Sequence, residues 1–145
     1  MNLLLDTNVI LDVWLRREPF FHDSARVMAL VEQGLVQGSL CATTLTTLFD
    51  LGQRVLGADM ARVHIGSLLK LFAVAPVNRA VLTDALMARF ADFEDAVLHE
   101  AARHARCDAI ITRNPDDFSR ATLKIYTPIQ YFQMHHMSLH EKAAR

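Results

Sequence analysis

Four aspartates stand where chemistry could be shared: Asp6, Asp92, Asp95 and Asp117. Asp6 ends the short apolar run Leu3-Leu4-Leu5 and is followed by Thr7 and Asn8. Asp92 and Asp95 are three residues apart in a stretch whose apolar residues (Phe93, Val97, Ala101) recur at helical spacing, so they share one face near a helix start. The run Ala109 to Thr112 opens into Arg113-Asn114-Pro115-Asp116-Asp117-Phe118, with Phe118 as the anchor of an acidic loop. Each feature has a plain structural reading. Aspartate caps helices, acids favour helix N-termini, and Asn-Pro-Asp-Asp suits a turn. Gathering them changes the balance. Two carboxylates about 4 Å apart repel by about 1 kcal/mol in water and about 4 kcal/mol at an effective dielectric near 20. Several at one edge must take up protons or hold a cation. Oxygen ligands suit Mg²⁺ or Mn²⁺, and such an ion activates water and steadies charge on a cleaved phosphodiester.

The elements that must position these groups alternate. Strands are expected at Leu3–Leu5, Ser39–Ala42, Phe72–Val77, Ala109–Thr112 and Lys124–Tyr126. Helices are expected from Val9, from Phe20 to Glu32, from Thr43 or Thr44 (as cap) to Leu56, and from Asp59 (as cap) to about Leu69. Others follow from Asn78 to about Phe90 and from Asp92 to Ala105, and Pro128 opens a last helical turn after Thr127. This alternation implies an α/β domain with a central parallel sheet covered by helices on both faces. Ligands of such sheets lie beyond the C-terminal strand edges, where Asp6 and the Asn114–Asp117 loop would be.

Three segments resemble the PIN-domain ribonucleases. Leu4 to Asp12 (LLDTNVILD) is similar to their opening motif, Asp92 to Val97 (DFEDAV) to their downstream acidic helix start, and Ile111 to Phe118 (ITRNPDDF) to their final acidic strand and loop. Tyr126 to Phe132 resembles their closing strand and Pro-led helix, so the likeness runs over about residues 2–132. It implies a three-layer PIN-like fold and Mg²⁺- or Mn²⁺-dependent cleavage of RNA. Carried over by position, Asp6 and Asp95 match metal-binding aspartates, Asp92 an acid frequent in a subgroup with a DFED-like stretch, and Asp117 the acid before the phenylalanine. Asn114 stands where many members have Asp. The implied catalytic set is Asp6, Asp95 and Asp117, with Asp92 as a fourth metal ligand and Asn8, Thr44 and Asn114 in support. Most members place a Glu in the helix after the second strand; here Ala42 to Asp50 offers threonines. Metal binding is therefore expected to be weak, and a carboxylate at Thr46 or Thr47 to strengthen it. Many small bacterial members are toxins held by an antitoxin, so the resemblance also implies an antitoxin partner and a homodimer.

The whole chain is compatible with this reading. Its 145 residues suit one domain, expected at 1–132 with a tail at 133–145, and 52% hydrophobic content suits a packed core. A formal net charge of −1 excludes nucleic-acid binding by bulk charge, so RNA contact must be local. No apolar run is long enough to span a membrane. The start lacks a signal peptide's basic region, and Cys41 and Cys107 form no CxxC pair, so a cytoplasmic protein with free thiols is expected. Glu94, His99, His135, His136 and His140 are expected at the solvent, while Arg16, Arg17 and Arg113 divide between phosphate contact and ordinary helix-end or loop roles. Two other functions fit parts of the pattern. A phosphoaspartyl enzyme would use Asp6 as nucleophile, but the partner acid and following glycine are missing. A non-catalytic PIN-like binding module would explain the missing Glu.

Overall fold

The computed structural model describes residues 1–135. Five strands alternate with helices: β1 (Asn2–Leu5), α1 (Thr7–Trp14), α2 (Phe21–Glu32), β2 (Gln37–Cys41), α3 (Ala42–Leu56), α4 (Ala58–Leu71), β3 (Ala73–Ala75), α5 (Arg79–Met87), α6 (Phe93–His104), β4 (Ala109–Ile111) and β5 (Lys124–Tyr126). A single 3-10 turn, Pro115–Phe118, follows β4, and residues 128–135 form a closing helix. The strands make one sheet in the order β3-β2-β1-β4-β5, and every pair is parallel.

Strand parity builds the two cores. Successive strand side chains point to opposite faces. Leu3, Leu5, Ala109 and Ile111 enter one cluster with residues of α1 to α4 and with Tyr131 and Phe132 of the closing helix. Leu4 and Ile110 enter the other with Val81, Ala85, Ala96, Val97 and Ala101 of α5 and α6. The result is the expected three-layer α/β domain. Leu3, Leu4 and Leu5 are all fully buried, which a strand covered on both faces requires.

Local chemistry sets most boundaries. Asn78 caps α5 by accepting from the Val81 N–H at 3.0 Å. Thr127 and Gln130 exchange side-chain-to-backbone hydrogen bonds of 2.9 and 3.2 Å, a capping box at the closing helix. The strand expected at Phe72–Val77 shortens to Ala73–Ala75: Phe72 is still the C-cap of α4, and Pro76 has no N–H for the ladder. The threonines expected to cap α3 do not, because Cys41 holds that position without a side-chain bond. At α4 the cap position is Gly57 rather than Asp59. His135 departs from the expected solvent-exposed state, stacking on Tyr131 at 4.4 Å between ring centroids; His136 and His140 lie outside the described residues.

One glycine is required by packing. A Cβ at Gly38 in β2 would stand 2.7 Å from Phe72 and 2.8 Å from Val31, closer than side chains can sit without moving a filled core. Gly38→Ala should therefore cost about 1–3 kcal/mol in urea unfolding. Gly66→Ala, where nothing lies within 4 Å, should be neutral or raise stability by up to about 1 kcal/mol through helix propensity. Equal midpoints for the two variants would refute the packing argument.

Candidate active site

The strand order turns at β1, which has β2 on one side and β4 on the other. That point, at the C-terminal strand ends, is where doubly wound sheets open a crevice. A cavity of ≈ 300 Å³ lies there, lined by Asp6, Thr7, Asn8, Leu11, Thr43, Thr44, Asp92, Glu94, Asp95, Leu98, Asn114 and Asp117. All seven residues singled out from the sequence (Asp6, Asn8, Thr44, Asp92, Asp95, Asn114, Asp117) are among them. Five carboxylates share the lining and, among the described residues, no lysine or arginine does.

Asp6 is the best-held group. Its backbone N–H extends the β1–β4 ladder to the Ile111 carbonyl at 2.9 Å. Its Oδ1 accepts from the Thr7 N–H at 2.7 Å, and its Oδ2 from the Thr112 hydroxyl at 2.8 Å and the Asn8 amide at 3.4 Å. Asp6 therefore caps α1 and lines the cavity at once. Asn8 in turn accepts from the Arg113 N–H at 3.2 Å, and the Thr112 hydroxyl accepts from the Asn114 N–H at 3.1 Å. A short net of polar bonds therefore ties the end of β1 to the loop after β4. Asp92 caps α6 by accepting from the Asp95 N–H at 3.2 Å, which turns Asp95 into the cavity from the first helical turn. Asp117 rides on the 3-10 turn that Phe118 pins into the core.

The electrostatics are those of crowded acids. Burial, then the charges of Asp92, Asp6, Asp117 and Glu94, push the Asp95 carboxyl up to about 7. Burial also raises Asp6, against the lowering effect of its bonds from Thr112 and Thr7. Glu94, expected at the solvent, is exposed yet lines the cavity and adds to this repulsion.

Several sequence expectations change. His99 is buried and outside the cavity; its Nε2 accepts from the Thr122 and Leu123 N–H groups at 3.1 and 3.3 Å. Burial lowers its pKa, so a neutral ring anchors the approach to β5. Its helical spacing from Asp95 could not reveal which side α6 packs. Thr43 and Thr44, not Thr46 or Thr47, are the α3 residues at the cavity. The Thr44 hydroxyl shares a 2.9 Å hydrogen bond with that of Thr7. Arg113 turns away from the acids toward Asp12, with Nε 3.6 Å from its Oδ2. Thr112 was missed as a holder of Asp6; its signal was register, since Leu5 pairs with Ile111 and the next residues face each other.

A second acidic group lies elsewhere. Ligand atoms of Asp84, Glu100 and His104 come within 4.8 Å of one another on α5 and α6. Arg103 already bonds Glu100 at 2.7 Å and approaches Asp84 at 3.9 Å, so the triad is part of an ion-pair network with its own cation. Among the described residues no other group is as tightly convergent, so the oxygens of the acidic cavity stand wider apart.

A family model described as PIN domain matches residues 2–116, and the chain belongs to that family. Solved structures share the fold at low identity. FitAcB from Neisseria gonorrhoeae is 21% identical, with TM-score 0.67 over 88% of this chain and 98% of that one. A toxin-antitoxin complex from Klebsiella pneumoniae is 19% identical, with TM-score 0.67 over 86% and 96%. VapC20 from Mycobacterium tuberculosis, a Sarcin-Ricin loop cleaving toxin, is 15% identical, with TM-score 0.63 over 79% and 92%. No curated protein matches the sequence.

The raised Asp95 carboxyl has a stability consequence. Between the ordinary carboxylate range and about 7, the folded state binds the proton more tightly than the unfolded state. This contribution therefore weakens as pH rises through that window. In chelator, the melting temperature of Asp95→Asn should gain on that of the wild type from pH 4 to pH 7.5. A difference between the two that does not change with pH would contradict the crowding.

Proposed function

We propose that this protein is a Mg²⁺- or Mn²⁺-dependent endoribonuclease whose acidic cavity is its active site. The observation that carries this reading is five carboxylates in one cavity at the sheet's turning point, with no basic side chain among the described residues lining it. The donor set fits a hard divalent cation: every charged group is a carboxylate, and neutral oxygens come from Asn8, Asn114, Thr43 and Thr44. Asp6, Asp95 and Asp117 would hold it, with Asp92 as a further ligand and Asn8, Asn114 and Thr44 in support. Such an ion, when bound, supplies a more acidic water and a positive charge beside the scissile phosphate. The chain's own part is orientation. Thr7, Thr112 and Asn8 fix both oxygens of Asp6. Burial and its acidic neighbours push the Asp95 carboxyl up to about 7, and it would give up its proton once a cation balanced those neighbours. Wide spacing of the acids and threonines on α3 support weak binding.

The nuclease unit is assigned to residues 1–132 in the cytoplasm; among the described residues no helix is long and apolar enough to cross a membrane. We assign it the role of toxin in a toxin-antitoxin pair. The Klebsiella pneumoniae structure, described as a toxin-antitoxin complex, and VapC20, described as a toxin, have the same fold and support this. Exposed Val55, Leu56, Met60 and Val63 on α3 and α4, with Leu82, Leu86 and Met87 on α5, supply apolar surface for a homodimer. The threonines of α3 favour one other reading, a PIN-like binding module without catalysis.

Purified protein with Mn²⁺ should cut RNA, and Asp6→Asn should lose at least about 100-fold while staying folded. Unchanged cleavage in that variant would remove Asp6 from the site; no cleavage by the wild type would favour the binding module. Expression of the wild type alone should arrest bacterial growth and Asp6→Asn should not, whereas normal growth with abundant wild-type protein would count against the toxin role. Thr43→Glu, which adds a carboxylate where the half-buried Thr43 meets the cavity, should tighten Mn²⁺ binding in calorimetry. Tight binding of two ions by the wild type would contradict the weak site.

A further inference from the structure

A second cavity, of ≈ 320 Å³, opens on the other side of Arg113, lined by Asp12, Pro19, Phe20, Asp23, Ser24, Arg113, Thr127, Pro128 and Ile129. Its volume is that of a small-molecule site. It adjoins the acidic cavity through consecutive residues: Leu11 and Asn114 line the first, Asp12 and Arg113 the second. Thr127 and Pro128 follow β5 directly, so both cavities lie along the same C-terminal sheet edge.

The polar groups inside are mismatched as they stand. Asp12 is fully buried, yet its Oδ1 accepts no hydrogen bond from the described residues. Its Oδ2 has only a long 3.4 Å bond from the Ser24 hydroxyl. Arg113 Nε is also buried without a hydrogen bond, and its approach to Asp12 at 3.6 Å is an ion contact only. The guanidinium lies 4.3 Å from the centroid of the Phe20 ring. A buried, unsatisfied carboxylate is costly and asks for N–H donors. The walls around it, Phe20, Pro19, Pro128 and Ile129, are apolar and suit a flat ring.

We propose that this cavity takes a guanine base of the RNA strand next to the scissile phosphate, read by the Asp12 carboxylate while Arg113 turns to the backbone phosphate. The proposal rests on the ribonuclease reading of the neighbouring site. Guanine alone among the four bases puts two adjacent donors, N1–H and the N2 amino group, on its pairing edge, which matches a two-oxygen acceptor. Adenine, uracil and cytosine each set an acceptor beside their one donor group on that edge. Single-stranded RNA is read in this way, with pairing edges bonded and rings stacked on aromatic or guanidinium planes. Beside the two carboxylates Asp12 and Asp23, Arg113 supplies the cation of this cavity that a phosphate-bearing occupant would engage.

Two measurements test this. In the first, wild-type protein with Mn²⁺ cuts a random-sequence RNA pool and the ends are sequenced. Guanine should be enriched about ten- to a hundredfold over adenine at one fixed position beside the cut, and Asp12→Asn should bring that ratio near one. Ile129→Trp, which fills the cavity from an exposed position, should do the same if Asp12→Asn fails to fold. In the second, guanosine is titrated into metal-free wild-type protein by NMR. It should shift the Phe20, Ser24 and Ile129 amides, and adenosine should not. Guanosine shifts without any RNA cleavage would uphold the cavity and sink the ribonuclease reading. Cleavage with no base preference and no guanosine shifts would overturn the cavity and leave the ribonuclease. Shifts of the same amides by N-acetylarginine amide but not guanosine would make it a protein-binding site and overturn the proposal.

Discussion

The fold brings like charges together where water is partly excluded, and the rest of the site answers that repulsion. Five carboxylates meet at the turning point of the sheet, and one of them, Asp95, keeps its proton up to about 7. The framework places three of these acids against their neighbours' repulsion. Asp6 is fixed by the β1–β4 ladder and three side-chain bonds. Asp92 is spent on a helix cap, which holds α6 in place so that Asp95 faces inward. Asp117 follows the loop that Phe118 nails into the core. The framework's stability thus holds the acids against the electrostatic strain of their crowding.

Rigidity at this edge comes from the two cores behind it. Leu3 and Leu5 reach one helical layer and Leu4 the other, so β1 cannot slip by one residue without exchanging both faces. Register between β1 and β4 then sets Asp6 opposite Thr112. A buried His99, bonded to the backbone of Thr122 and Leu123, steadies the loop that returns to β5. The same edge carries the Asp12 and Arg113 cavity, so a change in the β4 loop is felt on both sides of Arg113.

Much of this was legible in the sequence, for definite reasons. The run Leu3-Leu4-Leu5 ending at Asp6 is a strand buried on both faces followed by a polar crevice residue. The three-residue spacing of Asp92 and Asp95 places both near one helix start. Phe118 after two acids reads as an anchor. Each of these inferences needs only local periodicity. The resemblance to PIN domains named the family, which the family match over residues 2–116 bears out.

The sequence by itself determined the elements, their alternation, and which acids could meet, because helical and strand periods are properties of neighbouring residues. Only the tertiary structure decided which face of α6 is buried. That choice took His99 out of the solvent and left Asp95 at the cavity, although both lie on one stripe. Helix packing likewise chose Thr43 and Thr44 over Thr46 and Thr47 for the cavity wall. Neither Thr112 beneath Asp6 nor the Asp12 carboxylate facing Arg113 has a local signal, since these pairs lie 106 and 101 residues apart in the chain and meet only through strand register and loop closure. Contacts of that kind depend on how whole layers stack, which no window of sequence contains.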